Sequence, residues 1–278
     1  MKRTPELNPL FRRILPLVAA LVICVAIFCV VSTGSEKIKI YFYSSETSIN
    51  NFKSLKMEFD RYLSRFGPYE FQPFSSRDAF EKHVKGKENC LLLLSSWHYR
   101  HIHRAYSLMP ALTGVRNGSK YQSRVLVAGK KATGIEAVKT GRIASASSPQ
   151  HTASTLRDML RAEYAEKPFR ILTVPKDLDA LMSVGLGSAK LALASRNCLD
   201  ELKALHPPLG RKIRVLAEGK ESLLLILAVP TRFTPETRKI VDIMKAMPGD
   251  SNGMKKIRML GLDAWQELEP DDRAKLES

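Results

Sequence analysis

The sequence predicts a two-lobed α/β fold preceded by a single transmembrane helix, and three observations support this prediction. Two successive sets of segments each follow the order β-α-β-α-β, which is typical of α/β sheets with crossover helices. Several of the strands are short, continuous apolar runs, as in parallel strands that are covered on both faces. Near the N-terminus, the 18 residues from 14 to 31 contain no charged side chain.

Length, composition and charge limit the functional classes to which the protein can belong. The chain has 278 residues, enough for two lobes with their own cores. Its formal net charge of +16 is compatible with nucleic acid, an anionic membrane surface or a small anionic ligand. The basic residues are spread along the chain, without a recognition helix, zinc finger or ribonucleoprotein motif, so we predict no nucleic-acid partner. A basic surface that is merely solvated is an equally good interpretation.

The apolar stretch predicts where the rest of the chain lies. Its length suffices to cross a hydrocarbon core of about 30 Å. Four basic residues precede it: Lys2, Arg3, Arg12 and Arg13. By the positive-inside rule, residues 1–35 form a cytoplasmic stub and transmembrane anchor, and the bulk of the chain lies in the periplasm or outside the cell. A cleaved signal peptide is the alternative, because residues 32–34 are small, but the apolar stretch is longer than a signal core of about 7–15 residues.

The four cysteines do not indicate a disulfide framework. Cys24 and Cys29 lie in the apolar stretch, where we interpret them as helix residues and predict no lipid anchor. Cys90 and Cys198 lie in the exported part, where an oxidising compartment would allow a disulfide. Because they fall in different predicted lobes, we expect two unpaired, buried thiols.

The first lobe is predicted from apolar spacing. Its elements are strands 37–45, 69–74 and 90–96 and helices 52–66 and 76–84. The first strand alternates, the first helix has apolar residues at helical spacing until Gly67 and Pro68 end it, and the second helix has a serine cap. The third strand contains four consecutive leucines, as expected of a strand buried on both faces. Lobe one is assigned to residues 36–126 and, after the chain returns, 222–278.

The second lobe repeats this order without a clear sequence repeat. Its elements are strands 121–129, 142–148, 169–174 and 190–195, with helices 152–165 and 177–184. Two further strands, 213–219 and 222–230, and helices 235–247 and 254–260 complete the chain. Lobe two is assigned to residues 130–214, and the chain is predicted to cross between lobes near 127–131 and near 215–221.

Candidate ligand-binding residues follow the third strand of lobe one. In open α/β sheets, ligands bind beyond the carboxyl ends of the strands. Trp97, His98 and Tyr99 occupy that position, and aromatic side chains there supply flat walls with a polar group. The alternative is that these side chains only pack the following helix. A metal site at His98, His101 and His103 is a weaker interpretation, because no carboxylate or thiol lies nearby in the sequence.

A second candidate is the hydroxyl-rich loop 145–155, which leads into a helix. Backbone N–H groups at a helix start, together with the helix dipole, form a potential anion site. The side chains that would add donors to it are those of Ser147, Ser148, Gln150, His151 and Thr152. The loop 44–48 after the first strand should open onto the same cleft. For both loops, ordinary helix capping is the simpler interpretation.

Enzyme motifs are not found. The sequence has no nucleophile elbow, no Gly-rich phosphate loop and no paired metal motif. The Gly185 and Gly187 pair follows a predicted helix rather than a strand, so it is not a dinucleotide fingerprint. We therefore predict a protein that is not an enzyme and that needs no cofactor.

The order of segments resembles the phosphate, phosphite and phosphonate-binding (PhnD-like) family of ABC transporter substrate-binding proteins, which have the type 2 periplasmic-binding fold. The resemblance covers about residues 38–270 and rests on three stretches, 52–102, 111–132 and 227–247 continued by 257–272. It implies a cleft formed by Ser45 and Glu46 after the first strand, by Trp97, His98 and Tyr99, and by Tyr121 at the hinge.

The resemblance also shows departures from the family pattern. The anion-cradling turn falls at residues 150–153, where His151 replaces a hydroxyl residue and Ala153 a glycine. In a second family turn, at residues 174–177, only Asp177 matches clearly, and Lys190 replaces an acidic residue. These changes make lobe two more cationic.

The resemblance implies a membrane-anchored extracytoplasmic solute-binding protein that captures a small phosphate- or phosphonate-like anion for an ABC transporter. Its partners would be the ligand, the membrane and a permease or other membrane complex. The alternative is a degenerate binding fold that acts as a sensor or assembly partner of a membrane complex.

Overall fold

A computed structural model describes residues 37–277, except 45–48, 50, 88–89, 131–133, 166–167 and 233. The predicted N-terminal anchor, with Cys24 and Cys29, lies outside the described residues. Within the described part of the chain, no helix combines the length and apolar character needed to span a membrane. Cys90 and Cys198 are buried and unpaired, which confirms the prediction of two free thiols.

The secondary structure alternates between strands and helices. The strands are β1 (Ile38–Tyr43), β2 (Tyr69–Pro73), β3 (Leu91–Ser95), β4 (Leu108–Val115), β5 (Tyr121–Gln122), β6 (Arg124–Gly129), β7 (Arg142–Ser145), β8 (Arg170–Thr173), β9 (Leu191–Ser195), β10 (Ile213–Glu218), β11 (Ser222–Leu223), β12 (Leu225–Pro230) and β13 (Ala264–Glu267). The α-helices are α1 (Phe52–Leu63), α2 (Arg77–Val84), α3 (Ser96–Ile102), α4 (Pro149–Met159), α5 (Ala162–Ala165), α6 (Asp177–Gly185), α7 (Arg196–Leu205), α8 (Pro207–Gly210), α9 (Pro235–Ala246), α10 (Ser251–Met259) and α11 (Pro270–Glu277). Ile135–Lys139 and Met247–Gly249 form 3-10 helices.

Lobe one is built on a six-stranded sheet with the order β13-β4-β12-β3-β1-β2. β1, β2 and β3 are parallel, whereas β12 is antiparallel to β3 and β4, and β13 to β4. The four leucines of β3 explain why the sheet is covered on both faces. Leu91 and Leu93 belong to one apolar cluster, and Leu92 and Leu94 to the other. Helices therefore pack on both sides, as the sequence predicted.

Lobe two is built on a five-stranded sheet with the order β10-β6-β9-β7-β8. β7, β8 and β9 are parallel, and β6 is antiparallel to both of its neighbours. The apolar side chains of β6 alternate between two clusters, with Val125 and Val127 on one face and Leu126 and Ala128 on the other. This sheet is therefore also covered on both faces, and the described fold is the predicted two-lobed α/β architecture.

The chain crosses between the lobes through two short segments that pair with each other. β5 and β11 form a two-stranded antiparallel sheet, in which Tyr121 pairs with Leu223. β6 lies in the sheet of lobe two, so the first crossing precedes residue 124 instead of lying near 127–131, and residues 124–126 belong to the second sheet. The sequence runs apolar from 125 to 128 without a break, so its pattern contained no sign of a boundary at Ser123.

Several elements were not predicted. β4 contains Pro110 and Gly114, which weaken a strand signal, yet both positions fit the fold. Pro110 lies at an irregularity in the pairing with β12, and a Cβ at Gly114 would lie 2.6 Å from a methyl group of Leu262. α7, β13 and α11 were also missed, and the helix predicted for 152–165 begins earlier, with Pro149 in its first turn, and ends at Met159.

Candidate ligand-binding cleft

A cavity of about 1000 Å³ opens where the carboxyl ends of parallel strands from both lobes meet. Its walls come from the segments that follow β1, β2, β7 and β8. The side chains that matter below are Tyr43, Ser76, Arg77, Glu81, Ser147, Ser148, Gln150 and Lys176. The cleft thus lies where the sequence placed it, at the strand ends of an α/β sheet.

Three helices begin at the wall of this cavity. Ser76 caps α2, with its Oγ accepting the Ala79 N–H at 3.2 Å, and Ser148 caps α4, with its Oγ accepting the His151 N–H at 3.2 Å. Lys176 precedes α6 and makes no capping hydrogen bond with its side chain. Helix N-termini carry unpaired N–H groups and partial positive charge, so three of them around one cavity favour an anionic occupant.

Arg77 connects the two lobes. Its Nε donates to the Glu81 carboxylate at 2.6 Å, and its NH1 lies 3.5 Å from the Ser148 hydroxyl in lobe two. The guanidinium carbon is also 5.1 Å from the centre of the Trp97 ring, within cation–π range. Its remaining N–H donors are near the cavity, so Arg77 is suited to contact a ligand and to respond to closure of the lobes.

Trp97 and His151 form the second contact across the cleft. Their rings are stacked with centroids 4.1 Å apart and planes inclined by 13°. His151 is 5% exposed, and burial, together with the charges of Arg124 and Arg77, lowers the pKa of its imidazole to about 2. A neutral, buried imidazole therefore packs against the indole and occupies part of the space between the lobes.

His98 is buried behind this contact. Its Nε2 lies 2.8 Å from Glu81 Oε1, and its Nδ1 has no hydrogen-bond partner among the described residues. Burial lowers the pKa of His98 to about 4 even though Glu81 favours the charged form. Burial disfavours ionisation of Glu81, but hydrogen bonds from Arg77 and His98 outweigh this effect and lower its pKa. A neutral His98 thus donates to a carboxylate that Arg77 already neutralises.

The floor of the cleft in lobe two is a buried network around Arg124 and Asp177. The guanidinium lies 3.4 Å from the Asp177 carboxylate and 3.2 Å from the Ser147 hydroxyl. Asp177 also accepts the Ser195 N–H at 2.7 Å. Arg124 Nε has no partner among the described residues, so this arginine retains an unused donor.

The predicted site residues fall into three groups. Trp97, His98, Gln150, His151 and Asp177 lie at the cavity or in the networks just behind it, and Thr152 is buried beneath it, donating from Oγ1 to Ser145 Oγ at 2.9 Å. Two residues do not reach the cavity: Tyr99 is fully buried in the core, with its hydroxyl 3.4 Å from the Leu108 carbonyl, and the Tyr121 hydroxyl donates to Asp272 at 2.5 Å. Ser45 and Glu46 lie outside the described residues.

Arg77, Glu81 and Arg124 are cleft residues that the sequence analysis missed, whereas Ser147 belongs to the hydroxyl-rich loop 145–155 that it identified as a candidate. Arg77 directly follows the predicted cap Ser76, so its place at a helix start was a usable signal. Arg124 stands at the head of an apolar strand, and nothing in its neighbourhood marks it as functional. The weaker metal interpretation gains no support. Among the described residues, no group of three or more His, Cys, Asp or Glu side chains could hold a metal ion.

A family model for the periplasmic substrate-binding protein of the phosphonate ABC transporter matches residues 42–273. No curated protein matches the sequence significantly. The family match spans both sheets and the cleft.

Solved structures share the fold at low sequence identity. XAC2383 from Xanthomonas citri, bound to ATP, superposes with a TM-score of 0.66 and 15% identity over 87% of this chain and 95% of its own. A binding-protein component of an ABC phosphonate transporter from Pseudomonas aeruginosa gives 0.67 and 15%, over 86% and 85%. PhnD1 from Prochlorococcus marinus, in complex with methylphosphonate, gives 0.62 and 11%, over 87% and 96%. At this identity, the likeness establishes the fold.

Proposed function

Because the chain belongs to the family of periplasmic substrate-binding proteins of ABC phosphonate transporters, we propose that it captures a small phosphate- or phosphonate-like anion in the cleft and delivers it to a membrane permease. Capture consists of binding and closure of the lobes, and no bond is made or broken. The family implies that the body of the protein lies outside the cytoplasm. We further propose that residues 14–31 remain as an anchor. An intact N-terminus in membrane-extracted protein, measured by mass spectrometry, would support this, and a terminus near residue 35 would refute it.

The observation that carries this proposal is the convergence of three helix N-termini on one cavity. The starts of α2 from lobe one and of α4 and α6 from lobe two line the same 1000 Å³ space. An anion between them would accept hydrogen bonds from backbone N–H groups of both lobes. Its binding would therefore favour the form in which the lobes are closed.

The charges of the cavity support the same ligand class. Lys176 is half-buried at the wall and forms no ion pair with any described carboxylate. The positive charge of Arg77 is offset by its ion pair with Glu81, and Asp78 is exposed at the rim of the cavity. The buried imidazoles of His98 and His151 are neutral at physiological pH and add no charge to the cleft, and the single N–H of His98 is donated to Glu81. The cavity therefore offers donors on several sides and one unneutralised cation.

Calorimetric titration of the full-length protein in non-ionic detergent tests the proposal. We expect saturable binding of at least one anion among phosphate, phosphite, alkylphosphonates and sulfate. Arg77→Gln should weaken that binding roughly tenfold, because a charge-assisted hydrogen bond is lost and Glu81 becomes uncompensated. Arg232→Gln removes an exposed arginine outside the cleft and should leave the affinity unchanged. Folded protein that releases no heat with any of these anions would contradict the proposal.

A second candidate function is that of a sensor or assembly partner of a membrane complex. The observation that favours it is the Trp97–His151 stack, in which side chains of the protein itself occupy part of the space between the lobes. This candidate requires that none of the anions binds and that Trp97→Ala leaves complex formation intact. Charge reversal on exposed lysines should then abolish co-purification with membrane partners. Saturable anion binding that depends on Arg77 would exclude it.

A further inference from the structure

The outer edge of the sheet in lobe two, opposite the cleft, carries at least one basic residue at each strand. β7, β8 and β9 point their carboxyl ends at the cleft, so their amino ends define this outer edge, where β6 ends and β10 begins. In spatial order across the sheet, from β10 to β8, the basic residues are Lys212, Lys130, Lys190, Arg142 and Arg170. We call this set the basic row.

The backbone fixes the order and spacing of the row. Lys130 N donates to the Lys212 carbonyl at 2.9 Å, and the neighbouring Gly129 N donates to the Lys190 carbonyl at 3.4 Å. Arg142 and Arg170 are directly paired in register. Adjacent strands are about 4.8 Å apart, so five of them place the cations along a line of roughly 19 Å. All five side chains are exposed.

The charge of the row is not neutralised within the fold. None of the five residues forms an ion pair with a described carboxylate, and Arg170 NH1 only donates to the Thr140 carbonyl at 3.4 Å. Glu136 lies nearby, but Lys139 pairs with it at 3.1 Å and the Tyr164 hydroxyl donates to it at 2.9 Å. Like charges side by side on neighbouring strands are unfavourable. The arrangement therefore costs stability unless an external anion offsets it.

The row borders a concave surface. A cavity of about 990 Å³ is lined by Lys130, Lys190 and Lys212 and by the turn 185–187, in which Leu186 is 70% exposed. Gly187 adopts a φ of 84°, which allows the tight turn that forms one wall. None of the described residues that line this cavity is aromatic. It therefore lacks the stacking surface with which proteins hold the bases of single-stranded nucleic acids.

We propose that the basic row binds a linear polyanion of repeating phosphate groups that lacks bases. A line of evenly spaced cations complements a line of phosphates, and such contacts are electrostatic and independent of sequence. A line of cations complements a linear polyanion better than it complements the extended plane of a bilayer surface. This site is separate from the cleft and does not depend on the function proposed for it.

Binding of long-chain inorganic polyphosphate to the full-length protein, measured by fluorescence anisotropy in non-ionic detergent, tests the inference. We expect saturable binding that orthophosphate at equal ionic strength does not displace. The logarithm of the affinity should fall with the logarithm of the salt concentration with a slope of roughly 3 to 4, which corresponds to five phosphate contacts. Joint substitution of Lys130, Lys190 and Lys212 by Gln should weaken binding roughly tenfold or more.

The matched control replaces three exposed lysines of lobe one by Gln, namely Lys82, Lys239 and Lys255. It has the same net charge as the lysine variant and should bind as the wild type does. Arg142→Gln with Arg170→Gln provides a second variant of the row. Circular dichroism verifies that each variant is folded. Three results would overturn the inference. The control variant could lose as much affinity for polyphosphate as the lysine variant does, an oligothymidylate could bind more tightly than polyphosphate, or the protein could bind only to anionic vesicles.

Discussion

Burial of imidazole rings determines how the cleft is charged. His98 is 2% exposed, and burial lowers its pKa to about 4, so the side chain donates to Glu81 as a neutral group. If it were protonated, the cation would lie near Arg77 as well as Glu81. The Nδ1 atom of His98 has no hydrogen-bond partner among the described residues, which costs the fold some stability. Because the ring is neutral, it places no second positive charge beside Arg77.

The stability of the protein should therefore depend on pH through His98. In the unfolded chain, His98 takes up a proton as the pH falls through 6.5, whereas in the folded chain it does so only near pH 4. The unfolded state binds more protons in this window, so the free energy of unfolding falls as the pH is lowered from about 7 to 4. The loss attributable to His98 is about 3 kcal/mol at most.

Denaturant unfolding at several pH values measures this effect. His98→Gln keeps an N–H donor for Glu81 but does not titrate, so its free energy of unfolding should vary less with pH than that of the wild type. His206→Gln replaces an exposed histidine and should preserve the wild-type dependence. If the curves of wild type and His98→Gln run parallel between pH 7 and 4, the burial argument is wrong.

At the scale of the element, sequence patterns predicted those strands and helices whose apolar residues alone determine their burial. β3 is the clearest case, because four leucines have no polar face to expose. β4 was missed because Pro110 and Gly114 are acceptable only in the context of β12 and Leu262, which are distant in sequence. α7 carried a readable signal, since Leu199, Leu202 and Leu205 lie at helical spacing, but Leu205 is exposed and the stripe is short.

The candidate site, too, has parts that the sequence predicts and parts that depend on contacts between distant segments. The turn before α4 and the end of β3 could be identified as candidate site segments from their composition, and the structure brings Trp97 into contact with His151. Arg77 could not be paired with Ser148, because that contact depends on how the two sheets face each other. Arg124 could not be paired with Asp177, because that contact depends on the order of the strands within lobe two. The sequence pattern predicts where strands end and where helices are capped, but it does not predict the angle between the lobes.

At Gly253, the cost of a steric clash is expected to outweigh the gain in helix propensity that alanine would bring. It is buried in the first turn of α10, and a Cβ there would lie against the backbone carbonyl and 2.9 Å from the Cα of Met247. Alanine favours a helix by about 1 kcal/mol over glycine, whereas forcing the backbone of Met247 to move costs about 1–3 kcal/mol. We therefore expect Gly253→Ala to lower the free energy of unfolding by up to about 2 kcal/mol.

Chemical denaturation of the two glycine variants tests this expectation. Gly249→Ala is the control, because that residue is exposed and a Cβ there meets nothing within 4 Å. Its free energy of unfolding should change by less than about 0.5 kcal/mol. A stabilised Gly253→Ala protein would mean that α10 shifts away from Met247 at little cost and that propensity prevails.

At the scale of the whole molecule, the two lobes are joined by short crossings and a few contacts across the cleft. The paired segments β5 and β11 are only two residues long, which is compatible with bending at the hinge. Among the described residues, the contacts across the cleft include the Trp97–His151 stack and the approach of Arg77 to Ser148. The relative position of the lobes therefore depends on a small number of side chains, which a substitution can remove without disturbing either core.

Loss of the Trp97–His151 stack should shift the protein towards an open form. An aromatic pair of this kind contributes about 1 kcal/mol, so His151→Ala should raise the ratio of open to closed molecules roughly fivefold without ligand. Small-angle X-ray scattering should show a larger radius of gyration for this variant. His101→Ala is the matched control, because His101 stacks on the same indole from its own helix, with centroids 5.4 Å apart, and does not bridge the cleft. An unchanged radius for His151→Ala would mean that the hinge segments, rather than contacts across the cleft, set the distance between the lobes.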